Sequence, residues 1–139
     1  MPLPEPKPGL VIRYDCLWTC EAGRDQGKER PACLVAAMDT TASPRFVVIL
    51  PITYVRPNKD TVGVEIPAKV RQALGLDEAP SRVIVSEHNV DEWPNSGLAS
   101  VPGRPGVFSY GFIPPCLFAQ VKAKFVELHE QGGSGGVRR

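Results

Sequence analysis

The side chains best suited to chemistry in this chain are six basic residues that lie close together in the sequence. The segment 24–59 contains these six basic residues and three acidic residues, which gives it a local net charge of +3. Guanidinium and ammonium groups bind phosphate oxygens, and a hairpin would bring this polar loop and the two strands after it together. The block predicts a basic concavity for phosphates, with an ordinary solvated surface as the alternative. Its members are Arg24, Lys28, Arg30, Arg45, Arg56 and Lys59.

Other reactive side chains lack the spacing that known catalytic motifs need. The chain contains no P-loop, no H-E-x-x-H, no dinucleotide fingerprint and no G-x-S-x-G elbow between a strand and a helix, since GGSGG at 132–136 lies in the glycine-rich C-terminal segment. His88, which follows an apolar stretch, fits either an acid–base group or a loop residue bonded to the backbone. The adjacent acids Asp91 and Glu92 are expected in a loop, in contact with water.

The four cysteines, Cys16, Cys20, Cys33 and Cys116, fit free thiols better than a metal site. Cys16 and Cys20 are spaced C-x3-C, and no second pair completes the ligand set of a structural zinc. Nothing in the sequence places a cysteine beside a histidine as a nucleophile pair. We therefore predict no metal and no cofactor, and thiols that fill the core or have no role.

Length and composition indicate one domain without a membrane-spanning or secretory segment. The chain has 139 residues, 42% of them apolar, and a net charge of +1, which excludes a uniformly basic coat for nucleic acid. The longest apolar runs, 32–38 and 46–52, are far shorter than the roughly twenty residues of a membrane span. The N-terminal residues lack the apolar stretch of a signal peptide, so the cytoplasm is the expected compartment.

Strand patterns outnumber helical ones, and 13 glycines and 15 prolines separate them. One core is expected between the longer helix, the strand at 61–66 and the two apolar runs. The fold class is therefore mainly β, a small barrel or curled sheet capped by a helix. Residues 1–8 are predicted to form an extended arm, 9–130 the domain and 131–139 a disordered tail. The predicted elements are strands at 10–14, 32–38, 45–53, 61–66, 82–86 and 107–112, a short helix from Pro67 to Gly75, and a helix over 117–128.

Two short segments around the predicted hairpin resemble motifs of the PemK/MazF-like (CcdB/MazF) toxin family. GRDQGKERP, at 23–31, is similar to the family's glycine-rich loop with an acid and a glutamine, followed by Arg-Pro. LPIT, at 50–53, is similar to its strand ending in Pro-x-Thr. The opening GLVIRYDCLW looks like the family's first strand, and PPCLFAQVKAKFVEL like its terminal helix. The resemblance covers about residues 9–128.

The resemblance implies an SH3-like barrel, a homodimer and a metal-independent endoribonuclease that cleaves single-stranded RNA. It implies Arg30 and Thr53 as the catalytic pair, with Asp25 as the base or as the acid that holds Arg30. This pair suits the chemistry, because RNA supplies its own 2′-hydroxyl nucleophile and the arginine fork matches phosphate oxygens. The implied partner is a small antitoxin, together with which the toxin binds DNA. RNA contacts are predicted at Arg24, Gln26, Lys28, Arg56 and Lys59.

Parts of the chain depart from the family pattern and leave other functions open. The segment at 82–93 differs, and 94–106 is typical of an inserted loop, which indicates a divergent branch. Glu87, Asn89 and Trp93 line an RNA groove in one interpretation, while Trp93 packs at the base of a loop in the other. The alternatives to a nuclease are a non-enzymatic SH3-like module that binds a protein, and a CcdB-like gyrase poison.

Overall fold

Eight strands and two helices make up the computed structural model, which describes residues 5–18, 21, 23, 27–38, 45–53, 61–76, 80–94 and 97–138. The predicted mainly-β class, with a short helix and a longer helix near the C-terminus, is confirmed. The elements are β1 (Leu10–Cys16), β2 (Lys28–Met38), β3 (Arg45–Thr53), β4 (Gly63–Glu65), α1 (Ala68–Leu74), β5 (Arg82–Ile84), β6 (Glu87–Trp93), β7 (Ser109–Phe112), α2 (Pro115–Glu130) and β8 (Gly135–Arg138).

The strands form one sheet in the order β4-β5-β3-β2-β1-β7. The first five residues of β3 also pair with β6, and its last two residues pair with β5. β8 lies parallel to β6, and all other neighbours are antiparallel. Among the described residues β7 and β4 remain separate edges, so the sheet is open. The closure into an SH3-like barrel that the resemblance implies is therefore not confirmed.

The expected single core is wrong, because the apolar residues divide into two clusters. Residues 32–35, 47 and 49–52 of the two apolar runs are buried, and successive side chains of a strand point to opposite faces of the sheet. One cluster holds Cys33, Val35, Leu50 and Ile52 together with Ile66, Leu117 and Val121 of the helical side. The other holds Ala32, Leu34, Val47 and Ile49 together with Ile12, Tyr14 and Trp93.

The helices begin and end close to the positions that proline and glycine predict. Pro67 precedes α1, and Gly75 ends it with a left-handed φ of 72°. Pro114 precedes α2, which buries Leu117 and Val121. In the described part of the chain, neither helix is long and apolar enough to cross a membrane.

A strand stands where a loop was predicted between positions 87 and 93. Asp91 is not a solvated loop acid: its Oδ2 accepts a hydrogen bond of 2.6 Å from the buried Tyr14 hydroxyl. Glu92 is exposed, as predicted, but lies on β6. The polar side chains of β6 hid its strand character in the sequence, because their partners are distant residues.

The predicted disordered tail is wrong for Gly135–Arg138, which form β8. Gly136 pairs with His88 of β6, and a Cβ at Gly136 would lie 2.5 Å from His88 Nε2. Glycine here leaves room for the His88 ring against the β8 backbone and does not indicate disorder. At the other end, Glu5 forms an ion pair of 3.2 Å with Arg45, and the first four residues of the predicted arm lie outside the described residues.

Candidate phosphate site

A cavity lies where β2 and β3 separate. Their ladder ends at the pair Ala32–Pro51, and two prolines stand at this point, Pro31 and Pro51, neither of which can donate a backbone hydrogen bond. Beyond it, Thr53 pairs with Arg82 of β5, on the opposite edge of β3 from β2. The prolines therefore end the ladder at the position where the cavity opens.

The cavity has a volume of about 410 Å³ and combines basic and hydroxyl-bearing side chains with an apolar wall. Arg30 and Thr53, the pair that the resemblance implies, both line it. Ile52, Leu76 and Val101 belong to its apolar wall. Its other polar lining residues are Arg13, Lys28, Glu29, Ser81 and Tyr110.

The described lining carries more positive than negative charge. Arg13, Lys28 and Arg30 contribute three positive charges, and Glu29 contributes one negative charge. Lys28 and Glu29 are exposed, whereas the two arginines are half-buried. Because charges in a partly desolvated cavity are screened less than on an open surface, this lining favours an anionic ligand.

Arg30 is held by an aromatic ring and not by a carboxylate. Its Cζ lies 5.0 Å from the centre of the Trp18 ring, which is cation–π distance. Its Nε is buried without a hydrogen-bond partner, and among the described residues no acid forms an ion pair with it. Stacking orients the guanidinium without neutralising it, so its charge remains available to a phosphate.

Asn89 fixes the backbone next to Trp18. Its Oδ1 accepts a hydrogen bond of 3.0 Å from Leu17 N, and its Nδ2 donates one of 2.8 Å to Leu17 O. The interpretation of Glu87, Asn89 and Trp93 as groove residues is wrong: all three are buried, and none is among the residues that line the cavity. Asn89 holds the backbone of Leu17, the residue before Trp18.

Gly27 sets the start of β2. Its N donates a hydrogen bond of 2.8 Å to Asp15 Oδ1, and a Cβ here would lie 1.9 Å from the carbonyl oxygen of Cys16. Only glycine permits this approach. Gly27 immediately precedes the β1–β2 ladder, in which Cys16 pairs with Lys28 and Tyr14 pairs with Arg30.

Arg13, Ser81 and Tyr110 were missed by sequence reasoning. Arg13 Nη1 donates a hydrogen bond of 3.3 Å to the Tyr110 hydroxyl, across 97 positions of sequence. The available signal was one arginine inside the apolar stretch LVIRY. Tyr110 and Ser81 carried no such signal, because only the tertiary structure brings them to the cavity.

Five of the predicted site residues fall outside the described part of the chain. They are Asp25, Arg24, Gln26, Arg56 and Lys59. Of the remaining basic residues in the positive block, Lys28 and Arg30 line the cavity, whereas Arg45 stands at the opposite end of β3 and pairs with Glu5. The predicted concavity therefore draws on β1 as well as on the positive block.

The cysteines and histidines lie elsewhere. Burial raises the pKa of the Cys33 thiol to about 12, so it is protonated and unreactive near neutral pH. Cys16 is buried and Cys116 exposed, and Cys20 lies outside the described residues. Over the described ranges no three His, Cys, Asp or Glu side chains group as metal ligands.

The arrangement is suited to binding a phosphate diester and stabilising charge on it. It offers permanent cations in a cavity, together with hydroxyl groups and an apolar wall. Comparisons of the chain with protein-family models, with curated proteins and with solved structures found no match.

Proposed function

We propose that this chain is a metal-independent endoribonuclease that cleaves single-stranded RNA, the toxin of a PemK/MazF-like toxin–antitoxin pair. The observation that carries the proposal is the shared cavity of Arg30 and Thr53. The two residues come from different strands, and the resemblance alone paired them. Trp18 supports the same function, since it orients Arg30 without an acid that would compete with phosphate.

RNA brings its own nucleophile to such a site. The 2′-hydroxyl oxygen attacks the adjacent phosphorus, the P–O5′ bond breaks, and a 2′,3′-cyclic phosphate and a 5′-hydroxyl remain. One proton leaves the 2′-hydroxyl for a base, and one reaches the departing O5′. Arg30 would stabilise the extra negative charge on the phosphoryl oxygens, an effect of roughly 3–4 kcal/mol for one well-placed donor. Thr53 would add a hydroxyl hydrogen bond to the same phosphate.

A carboxylate can accept the 2′-hydroxyl proton. The resemblance suggests Asp25, which lies outside the described residues. Glu29 is the acid among the described lining residues, and it is exposed at the cavity. Comparison of Asp25→Asn with Glu29→Gln would identify the base, because the loss of a general base lowers the rate by about a hundredfold or more.

The partners follow from the same proposal. A small antitoxin with an acidic and apolar segment would complement the cavity, which offers both basic and apolar walls. We further propose a homodimer and a cytoplasmic location, as the resemblance implies.

The direct test is incubation of purified protein with a long unstructured RNA in EDTA. Discrete products are expected, and Arg30→Ala should lower the rate about a hundredfold or more. Arg30→Lys should recover part of it, because a point charge does not reproduce the fork. Arg45→Ala is the matched control: it removes an arginine whose exposed ion pair lies at the far end of β3, and it should retain the wild-type rate.

Intact RNA under these conditions would contradict the nuclease function and favour the protein-binding module. Full activity in Arg30→Ala would contradict the assignment of the site while leaving a nuclease in place.

A further inference from the structure

The cavity is larger than one phosphate requires. Its volume of about 410 Å³ lies in the range of sites that enclose whole organic ligands, whereas a phosphate group occupies a small part of it. Arg30 and Thr53 account for part of its polar lining, and Arg13 and Tyr110 add a cation and a phenol. We infer that Arg13 and Tyr110 form a second phosphate subsite, so that the cavity binds an oligonucleotide through two of its phosphates. The nucleic-acid identity of the ligand rests on the proposed function.

Arg13 is placed where a cation needs an anionic partner. Its neighbours on β1, Ile12 and Tyr14, are fully buried, and Arg13 itself is half-buried between them. Its Nε is buried without a partner, and its hydrogen bond to Tyr110 is long and goes to a neutral oxygen. Within the described residues no carboxylate forms an ion pair with it. A partly desolvated guanidinium with these contacts gains from a bound phosphate.

The two arginines stand on neighbouring rungs of the β1–β2 ladder. Arg13 pairs with Pro31, and Tyr14 pairs with Arg30. Side chains on successive rungs point to opposite faces of a ladder, yet both arginines line the one cavity. Two phosphates, rather than one, are then needed to contact both arginines.

Tyr110 can take part directly. Its hydroxyl oxygen accepts the hydrogen bond from Arg13 and keeps its own proton to donate to a phosphate oxygen. The backbone that carries it is packed tightly against α1, since a Cβ at Gly111 would lie 3.3 Å from Leu74 Cδ2. The pair is thus fixed by β1 and β7 before any ligand binds.

Binding of dinucleotides that cannot be cleaved tests the subsite. The probes are a panel covering every dinucleotide sequence with a 2′-deoxy sugar at the central phosphate, each with and without a terminal phosphate at the 5′ or the 3′ end. Isothermal titration at low salt should show that a terminal phosphate at one end tightens wild-type binding about tenfold or more, as expected for a charge-assisted contact. Arg13→Gln should remove this gain, and Tyr110→Phe should reduce it by a smaller factor.

Arg45→Gln is the control, because it removes the same charge at the far end of β3. It should keep the gain, which separates a local subsite from the general field of the protein. If Arg13→Gln fails to fold as judged by circular dichroism, Arg13→Lys replaces it and should lower the gain severalfold.

The outcomes separate this inference from the nuclease. A wild-type protein that cleaves no RNA, but whose terminal-phosphate gain depends on Arg13, would retain the subsite and lose the proposed function. A protein that cleaves RNA, but whose gain is absent or unchanged in the folded Arg13 variant, would overturn the subsite and retain the function.

Discussion

At the scale of single residues, the site depends on how Arg30 is oriented. The Trp18 ring lies against the guanidinium, and Asn89 fixes the residue before Trp18 through both backbone groups of Leu17. A mobile arginine side chain would lose conformational entropy at each binding event, whereas one that is stacked on an aromatic ring is already ordered. Trp18 is therefore a positioning residue in this account.

Replacement of Trp18 should lower activity without removing a catalytic group. Trp18→Leu is expected to reduce the RNA cleavage rate about tenfold, since a partly desolvated cation–π contact is worth about 1–2 kcal/mol. Trp18→Phe should recover much of the rate because it keeps an aromatic face. Steady-state kinetics on a fixed RNA would measure both.

The matched control is Trp93→Phe, which changes a tryptophan buried in the second apolar cluster. It should lower the thermal midpoint of unfolding while the cleavage rate of the folded protein stays the same. Wild-type activity in Trp18→Leu would show that Arg30 is oriented by something else.

Sequence reasoning reached part of this site and could not reach the rest. Lys28 and Arg30 belong to the positive block that the sequence shows, whereas Thr53 was predicted from the family resemblance alone, and all three line the cavity. Tyr110 could not be predicted, because its contact with Arg13 joins β1 to β7 across 97 positions. Asn89 was interpreted as a groove residue because its hydrogen bonds to the Leu17 backbone cannot be inferred from the sequence.

At the scale of elements, β6 and β8 show how polar residues conceal strands. Strand β6 carries His88, Asn89 and Asp91, which find partners at Ser134, Leu17 and Tyr14. Without those partners in view, the segment lacks the apolar alternation that predicts a strand. Strand β3, by contrast, was predicted at its observed bounds, because its apolar, β-branched residues pack on both faces.

Gly136 should be the residue on which docking of β8 depends. Gly136→Ala places a methyl group 2.5 Å from His88 Nε2, so β8 should separate from β6. Gly133→Ala is the control, because its Cβ would meet no atom closer than 3.4 Å. Hydrogen exchange should show faster exchange of the backbone amides at 135–138 in Gly136→Ala only. Equal protection in both variants would contradict the close contact.

His88 should make the stability of this region depend on pH. Burial, and then the nearby charge of His129, lower the pKa of His88 below its ordinary value of about 6.5. Because the unfolded chain binds the proton more readily, the free energy of unfolding should be highest above pH 6.5. It should fall as the pH drops towards the folded-state pKa.

Urea unfolding at a series of pH values between about 7.5 and 5 would measure this slope. His88→Gln should flatten it. His129→Gln should flatten it partly, since it removes only the second cause. An unchanged slope in His88→Gln would assign the pH dependence to other groups.

At the scale of the whole molecule, an open sheet with two apolar clusters supports a cavity at the point where two of its central strands part. Pro31 and Pro51 lie at the end of the β2–β3 ladder, and β3 continues by pairing with β5. The class of fold was predictable from strand and helix patterns. The two clusters were not, because a continuous apolar run does not reveal that both faces of its strand are covered.

In the proposed mechanism RNA supplies its own nucleophile in the cavity of Arg30 and Thr53. The measurement that tests it most directly is cleavage of an RNA carrying a single 2′-deoxy sugar on the 5′ side of the mapped cut, in EDTA. The proposal predicts that cleavage at that position stops, while the unmodified RNA yields products ending in a 2′,3′-cyclic phosphate and a 5′-hydroxyl. Cleavage of the 2′-deoxy substrate at its wild-type rate would contradict it.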